Sequence, residues 1–364
     1  MNKIKRLFVI ELPKNISSTK DKILSFKGGL TIFSLAIVAL LPTLFNFFTD
    51  TPKGLATYLD FFLYAMIIGI FGASWDLLAG ITGLFSLGHS VFFGLAAYFL
   101  AIGTVYWGVS SFVMTILSAS IVVLIGAAIG WMCLRLKGPY LALTLLAMSI
   151  LLFHLFNEPS LTKWFYGESG ITDVPRLFER DILIGVLFNF YSYFLIMIVS
   201  VSIMKIIAQS KFGTVLKAIR DDDTGAQASG INLSKYKVIV FAISCFFAGI
   251  AGALYAMNWT SAVPAYFQPS YSFLPIMMAA VGGLSTITGA VLGSFLYGII
   301  RIIVIELKDV PAIKELPIVV DFLEIGPVLI FAIFLIIVIR FAPNGILNPA
   351  IEKLRLTWEL VKGN

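Results

Sequence analysis

The sequence predicts an all-α, polytopic integral membrane protein. Its 364 residues are 59% hydrophobic and only 13% charged, and the mean hydropathy is +0.96. A soluble fold cannot hide that much apolar surface in its interior. The apolar residues also fall into about ten runs separated by short polar loops, which is the pattern of helices that cross a bilayer repeatedly. We therefore expect about nine or ten membrane segments, some of them short or broken.

The runs define the predicted segments in order. The first 27 residues carry seven Lys or Arg, and residues 1–29 are assigned to a basic cytoplasmic extension. The apolar runs then cover 30–48, 55–78, 87–109, 112–134, 140–156, 182–208, 238–257, 273–281, 290–305 and 325–339. The run 273–281 is too short to span a bilayer alone. The membrane domain is taken as 30–346, followed by a cytoplasmic tail, 347–364.

Basic residues predict the orientation. With the N-terminus in the cytoplasm and the segments alternating, 19 of the 26 Lys and Arg residues lie on the inner side, Arg301 being counted outside. The positive-inside rule favours this orientation over its reverse. Both termini and the loop 210–237 are then cytoplasmic.

The loop 210–237 is the longest polar interruption in the second half of the chain, and we interpret it as a docking loop. Its first half predicts a helix that lies flat on the membrane, because one face carries Phe212, Val215, Leu216 and Ile219, with Lys211, Lys217 and Arg220 beside it. Asp221, Asp222 and Asp223 suit the positive end of a second short helix that stops at Gly230. Small residues on that helix, Ala226, Ala228 and Ser229, leave room for a partner's backbone. The alternative is an ordinary solvated loop between two spans.

Two glycine-broken stretches predict a translocation path. The first covers 80–89, and the second begins at Gly282 and Gly283. Irregular backbone near the membrane is tolerated only where protein or water covers it, and broken segments at corresponding positions of two halves indicate a path. Tyr98 follows Gly83 by fifteen residues and Tyr297 follows Gly283 by fourteen, which fits either an internal duplication or chance similarity. The candidate path residues are Gly80, Gly83, Ser86, Gly88, His89, Gly282 and Gly283.

Signatures of catalysis are absent from the sequence. It contains no phosphate-binding GxxxxGK[ST] loop, HExxH, GxSxG or CxxC motif. Cys133 and Cys245 lie far apart in apolar runs, so neither a disulfide nor a metal site is expected, and the scattered basic residues do not indicate nucleic acid. Two ionisable residues on either side of the first broken stretch, Asp76 and His89, have either a structural or a path-lining role. The other ionisable candidates lie at or near segment ends, where they can reach water or a backbone partner: His154, Glu158 and Glu306. Scarce mid-segment acids argue against a proton- or sodium-coupled carrier.

Several motifs carry a resemblance to a known family. They lie at 83–94 (GLFSLGHSVFFG), 134–142 (LRLKGPYLA), 218–231 (AIRDDD to ASGI) and 247–255 (FAGIAGALY), with 282–284 (GGL) and 342–346 (APNGI) in support. In this order and spacing they resemble the branched-chain amino acid permeases of bacterial and archaeal ABC importers, specifically the LivM-type subunit. The outer stretch 166–175 departs from the family pattern, which often has more glycines and an asparagine there.

The resemblance implies a transporter subunit that is not itself an enzyme and binds no cofactor. Its implied partners are a second permease, two cytoplasmic subunits that bind ATP-Mg, an extracytoplasmic binding protein and the lipid bilayer. The implied ATPase-coupling residues are Ala218, Ile219, Arg220, Asp221, Asp222, Asp223, Gly225, Ala226 and Gly230. Urea and short-amide permeases share nearly the same motifs, so that substrate stays open. The alternatives from other classes are a gradient-driven carrier or channel acting alone and a non-transporting membrane scaffold.

Overall fold

The fold, seen in a computed structural model, is all-α as predicted. The structure describes residues 36–43, 52–133, 139–178, 183–309, 317–342, 345–347 and 349. Residues 36–43 are helical, and the helices that follow are α1 (Pro52–Thr82), α2 (Ser90–Val105), α3 (Ser111–Cys133), α4 (Tyr140–Asn157), α5 (Leu183–Gln209), α6 (Lys211–Asp221), α7 (Asp223–Ala228), α8 (Leu233–Trp259), α9 (Pro269–Gly282), α10 (Thr288–Asp309) and α11 (Pro317–Phe341). The predicted first segment, 30–48, and the two termini lie largely outside the described residues.

Helix α1 is the centre of the molecule. It contacts α5, α6, α8, α9 and α10, and 94% of its most apolar window is buried inside the protein. A helix that is apolar on all sides needs such an environment because it has no face that suits water. Its 31 residues extend about 46 Å at 1.5 Å per residue, which is longer than the bilayer's hydrocarbon layer. The core therefore lies around one long helix.

Helices α3, α4 and α5 form the periphery. Only 39%, 33% and 33% of their apolar windows are buried inside the protein. Their outer faces expose large apolar side chains, among them Phe112, Leu124, Leu151 and Leu195. Such faces suit lipid, and together with α1 and α8 these helices make five that are long and apolar enough to cross a membrane within the described residues.

Two helices beside the glycine-broken stretches are short. Helix α2 has 16 residues and α9 has 14, which correspond to about 24 and 21 Å, less than the ~30 Å hydrocarbon layer. The prediction of a full segment over 87–109 was therefore too long. Each broken stretch joins two helices: the first connects α1 to α2, and the second connects α9 to α10.

The connections gather at two opposite ends of the helices, as the predicted alternation requires. One end holds both broken stretches and the loop 210–237, with Arg220 touching each stretch. The other end holds 106–110, 158–178 and 260–268, where Ser111 Oγ donates to the Pro175 carbonyl across 3.1 Å. The stretch 166–175, which differs from the family pattern, lies at this end. It contains the short strand β1 (Ile171–Thr172), which pairs antiparallel with β2 (Ser261–Ala262).

Candidate functional site

The first half of the docking loop is a helix that packs on the protein. Ser210 caps α6, its hydroxyl accepting from the Gly213 amide across 3.3 Å. The predicted apolar face is present, and it packs against the protein. Its residues Phe212, Leu216 and Ile219 are at most 2% exposed, and α6 contacts α1 and α5. The prediction that this helix lies flat on a membrane was therefore wrong, because the apolar stripe matches a groove of the protein itself.

The second half follows the predicted capping pattern. Asp222 is the N-cap of α7, with its carboxylate accepting from the Thr224 amide across 2.9 Å, and the loop after α7 turns at Gly230, whose φ is +82°. Asp223 pairs with Lys237 of α8 across 2.6 Å. Of the small residues, Ala228 and Ser229 are exposed but Ala226 is only 6% exposed, so it packs inward instead of offering a surface.

Arg220 connects this loop to both glycine-broken stretches. Its Nη1 donates to the Gly80 carbonyl across 2.9 Å and to Ser285 Oγ across 3.1 Å. Its Nε and Nη2 both donate to Asp221 Oδ1 across 3.1 Å, which holds the planar guanidinium in place. One side chain of α6 therefore contacts the first stretch at Gly80 and the second at Ser285.

Asp76 joins α1 to the second stretch. It is fully buried on α1, and its two carboxylate oxygens accept from the amides of Ser285 and Ile287, each across 2.7 Å. Ser285 Oγ donates to the Gly80 carbonyl across 2.6 Å. A β-carbon on Gly80 would overlap the Asp76 carboxylate and lie 2.7 Å from the Ser285 nitrogen. The approach of the second stretch to α1 therefore requires a glycine at position 80.

The first broken stretch is packed into the protein. Gly83 ends α1 with φ +76°, its amide donating to Ala79 and the next amide to Leu78, and its α-carbon lies against the Arg220 side chain. Gly88 lies against the backbone of Leu145 on α4, leaving no space for a β-carbon. The Ser86 carbonyl accepts from Trp75 Nε1 across 2.8 Å.

His89 is fully buried at the start of α2. Its Nε2 lies 3.0 Å from Ser74 Oγ and 3.4 Å from Ser244 Oγ. The two hydroxyls also lie within donating distance of the Phe71 and Ser74 carbonyls. Its Nδ1 and the Ser86 hydroxyl have no partner among the described residues. A path-lining role for His89 and Ser86 stays a prediction.

The second broken stretch is held from the C-terminal side as well. Gly282 packs against the backbone of Gly289, and Gly283 ends α9 with φ +120°. The Ile346 amide donates to the Val281 carbonyl across 3.0 Å, and Gly345 lies directly on Gly283. Gly345 and Ile346, the last two residues of the family motif at 342–346, therefore hold this stretch where it leaves α9.

An open groove of about 1450 Å³ separates the docking loop from the first stretch and the start of α4. Its polar wall includes Arg220, Asp221 and Asp223. The coupling residues Ala218, Asp221, Asp222 and Asp223 are exposed, Gly225 is half-buried and Ile219 is buried. The structure thus brings Arg220, Gly80 and Gly83 together and keeps Ser86, Gly88 and His89 deeper in the protein.

The sequence interpretation missed two residues. Ser285 was seen only as part of the second stretch, although its place two residues after a glycine pair was a usable signal. Arg301 was assigned to an outer loop, whereas it lies inside the apolar helix α10. Its position within the predicted run 290–305 was the signal, because a charge inside an apolar segment is rare and usually functional.

Comparison with known sequences identifies the family. A sequence profile described as "Branched-chain amino acid transport system / permease component" matches residues 57–338, which includes both broken stretches and the docking loop. The chain belongs to this permease family. As a member of it, and with several helices able to cross a bilayer, the permease is a multi-pass protein of the prokaryotic inner membrane.

Relatives of the permease include proteins with different named substrates. The "Probable branched-chain amino acid transport permease protein LivM" of Methanocaldococcus jannaschii is 25% identical over 243 residues, covering 65% of this chain and 68% of the relative. A "High-affinity branched-chain amino acid transport system permease protein LivM" of Salmonella typhimurium is 24% identical over 65% of this chain and 57% of its own length.

The "Nucleoside ABC transporter permease protein NupC" of Lactococcus lactis is 24% identical over 55% of this chain and 63% of its own length. The chain thus spans about 57 to 68% of these three relatives. No solved structure matches it.

Proposed function

We propose that this permease is one membrane subunit of an ATP-driven importer for branched-chain or related hydrophobic amino acids. The observation that carries the proposal is the placement of Arg220, on the exposed docking loop, in hydrogen-bond contact with both glycine-broken stretches. A separate ATPase pressing on that loop would act on both stretches through one side chain. The chain itself performs no hydrolysis in this proposal.

The proposed cycle follows from these contacts. ATP binding closes the two cytoplasmic ATPase subunits and displaces α6 together with the start of α7, where the exposed residues are Ala218, Asp221, Asp222 and Asp223. Because α6 packs on α1 and α5, it moves with them as a unit. The Arg220 contacts then shift the ends of α1 and α9 together, the path opens outward, and hydrolysis resets it.

The family description and the LivM relatives support the amino acid substrate, and the term "component" fits a complex with other subunits. The proposed partners are a second permease, with which the path is formed, two ATP-Mg-binding subunits and an extracytoplasmic binding protein. The NupC relative, whose name specifies nucleosides, indicates that the architecture serves more than one substrate class. A urea or short-amide permease is the second candidate, since those permeases share the motifs given above.

Uptake measurements test this proposal. Cells that express the chain with its neighbouring transporter genes are given radiolabelled leucine, with excess unlabelled isoleucine, urea or a nucleoside as competitor. We expect isoleucine alone to block uptake, and we expect no uptake when an ATPase subunit is inactive. Labelled urea or nucleoside entering in place of leucine would overturn the substrate. Uptake by the purified chain without any ATPase would overturn the ATP-driven mechanism.

A further inference from the structure

The apolar part of α10 contains a cation that the docking loop does not explain. Arg301 lies in α10, 14 residues after Ile287, and therefore about 20 Å along the helix from the Asp76 contact. The helical segment that contains it, Thr288–Val304, is otherwise apolar. A charged residue in such a segment is unfavourable in lipid and commonly faces a polar cavity or a ligand.

Aromatic rings surround the Arg301 guanidinium. Its Cζ lies 4.6 Å from the centroid of the Tyr64 ring, 5.8 Å from that of Trp259 and 6.0 Å from that of Phe61. A cation at such a distance from a ring is stabilised by the ring quadrupole. This attraction does not require the N–H donors of the guanidinium, so they stay available for an acceptor.

Among the described residues, no protein acceptor takes those donors. The ion pairs there are Arg220 with Asp221 and Lys237 with Asp223, and no described carboxylate lies within pairing distance of Arg301. Arg301 is only partly buried, which leaves part of it accessible. An arginine whose N–H donors are not taken by described residues is suited to a bidentate contact with a carboxylate.

The tyrosines of this region come from α1, α8, α9 and α10, and three of these helices, α1, α9 and α10, flank the broken stretches. Tyr64 lies on α1 and Tyr297 on α10, with ring centroids 5.9 Å apart. Tyr255 of α8 stands 6.0 Å from Tyr64, and its hydroxyl lies 3.3 Å from that of Tyr271 on α9. We call Arg301, Tyr64, Tyr255, Tyr271 and Tyr297 the arginine–tyrosine cluster. Movement of α1, α9 and α10 would change its shape directly.

We propose that the arginine–tyrosine cluster binds the carboxylate group of the transported substrate. Arg301 supplies the charge, the tyrosine rings supply an apolar wall, and their hydroxyls supply hydrogen bonds. The chemistry fits an amino acid with an apolar side chain, so the inference rests on the function proposed above. It also explains why a cation is retained in an apolar helix without a carboxylate partner.

The first test uses the complete transporter in proteoliposomes. Arg301→Gln keeps a polar side chain but removes the charge, so leucine uptake should fall about tenfold or more with the loss of a charge-assisted pair. Arg301→Lys should retain part of the uptake. The control is Arg340→Gln, an exposed arginine near the end of α11, which should stay within about twofold. Unchanged uptake by Arg301→Gln would overturn the proposal.

A second test keeps Arg301 intact. Tyr271→Cys is introduced into a chain whose own thiols are removed by Cys133→Ser and Cys245→Ala, and its reaction with a methanethiosulfonate reagent is timed in the assembled transporter. L-leucine should slow the reaction about fivefold, whereas 3-methylbutylamine, which has the same side chain without the carboxylate, should not. The exposed neighbour Ser270→Cys, as control, should react equally fast with either compound.

The combined outcomes of the two tests distinguish failure of the proposed binding site from failure of the proposed transport function. Native leucine uptake without carboxylate-dependent protection of Tyr271→Cys overturns the site and leaves the importer intact. Absent native leucine uptake overturns the proposed function, while protection by leucine still reports on the cluster directly. Loss of the second permease from purified Arg301→Gln transporter, with no protection by leucine, would assign Arg301 to a subunit contact and overturn the site.

Discussion

Arg220 on the docking loop donates a hydrogen bond to the carbonyl of Gly80, 140 positions away in sequence, across 2.9 Å. This bond joins an exposed helix to the end of the central helix α1. Because the same nitrogen also reaches Ser285, displacement of the loop changes both broken stretches at once. The first prediction follows from it.

Arg220→Ala should uncouple ATP hydrolysis from transport. It removes the contacts to both stretches but leaves the buried face of α6 intact, so the complex should assemble. We expect substrate moved per ATP to fall about tenfold, within the usual range of coupling energies between two sites. Uptake and phosphate release, measured together in proteoliposomes, give this ratio. Lys217→Ala, an exposed change on the same helix, is the control. Equal ratios for both variants would contradict the prediction.

Asp76→Asn should destabilise the protein. Both carboxylate oxygens accept from backbone amides, whereas an amide side chain has one oxygen and places an NH₂ group against the second donor. Leaving a buried donor unsatisfied costs about 1 to 3 kcal/mol. Thermal unfolding of the detergent-solubilised protein measures the loss, with Asp173→Asn, in an exposed loop, as the control. An unchanged midpoint would show that the two amides find other acceptors.

Gly282→Ala should be far less tolerated than Gly298→Ala. The new methyl group at 282 would overlap the backbone of Gly289, which cannot rotate away, whereas at 298 the nearest atom is the Ala65 β-carbon at 3.1 Å. Overpacking of this kind typically costs about 1 to 3 kcal/mol or more. The yield of folded protein and its unfolding midpoint compare the two variants. Similar values for both would mean that α9 and α10 separate easily.

Phe212→Ala should weaken folding, because this side chain is buried in the protein instead of in lipid. The ring is 1% exposed and stacks on Tyr236 with centroids 5.4 Å apart. Removing a buried phenylalanine typically costs about 3 to 5 kcal/mol. Thr214→Ala on the exposed side of α6 is the control, and unfolding in denaturant measures both. A negligible effect of Phe212→Ala would restore the interpretation of α6 as a helix lying on the membrane surface.

The sequence by itself determined the fold class, most segment bounds and the two-helix form of the docking loop. These features depend on local chemistry: apolar runs of sufficient length, a stripe at helical spacing, and capping residues such as Asp222 and Gly230. Such signals are contained within one segment, so no knowledge of its neighbours is needed.

Only the tertiary structure decided what those segments contact. The stripe of α6 predicts burial but does not distinguish lipid from protein, and the structure places Phe212 and Leu216 against the protein. The partners of Arg220 in the broken stretches and the partners of Asp76 lie 65 to 211 positions away, beyond any spacing rule. Arg301 was misassigned because a tally of charges by loop ignores depth in a helix. Long-range contacts depend on how whole helices pack, which is why the sequence left them open.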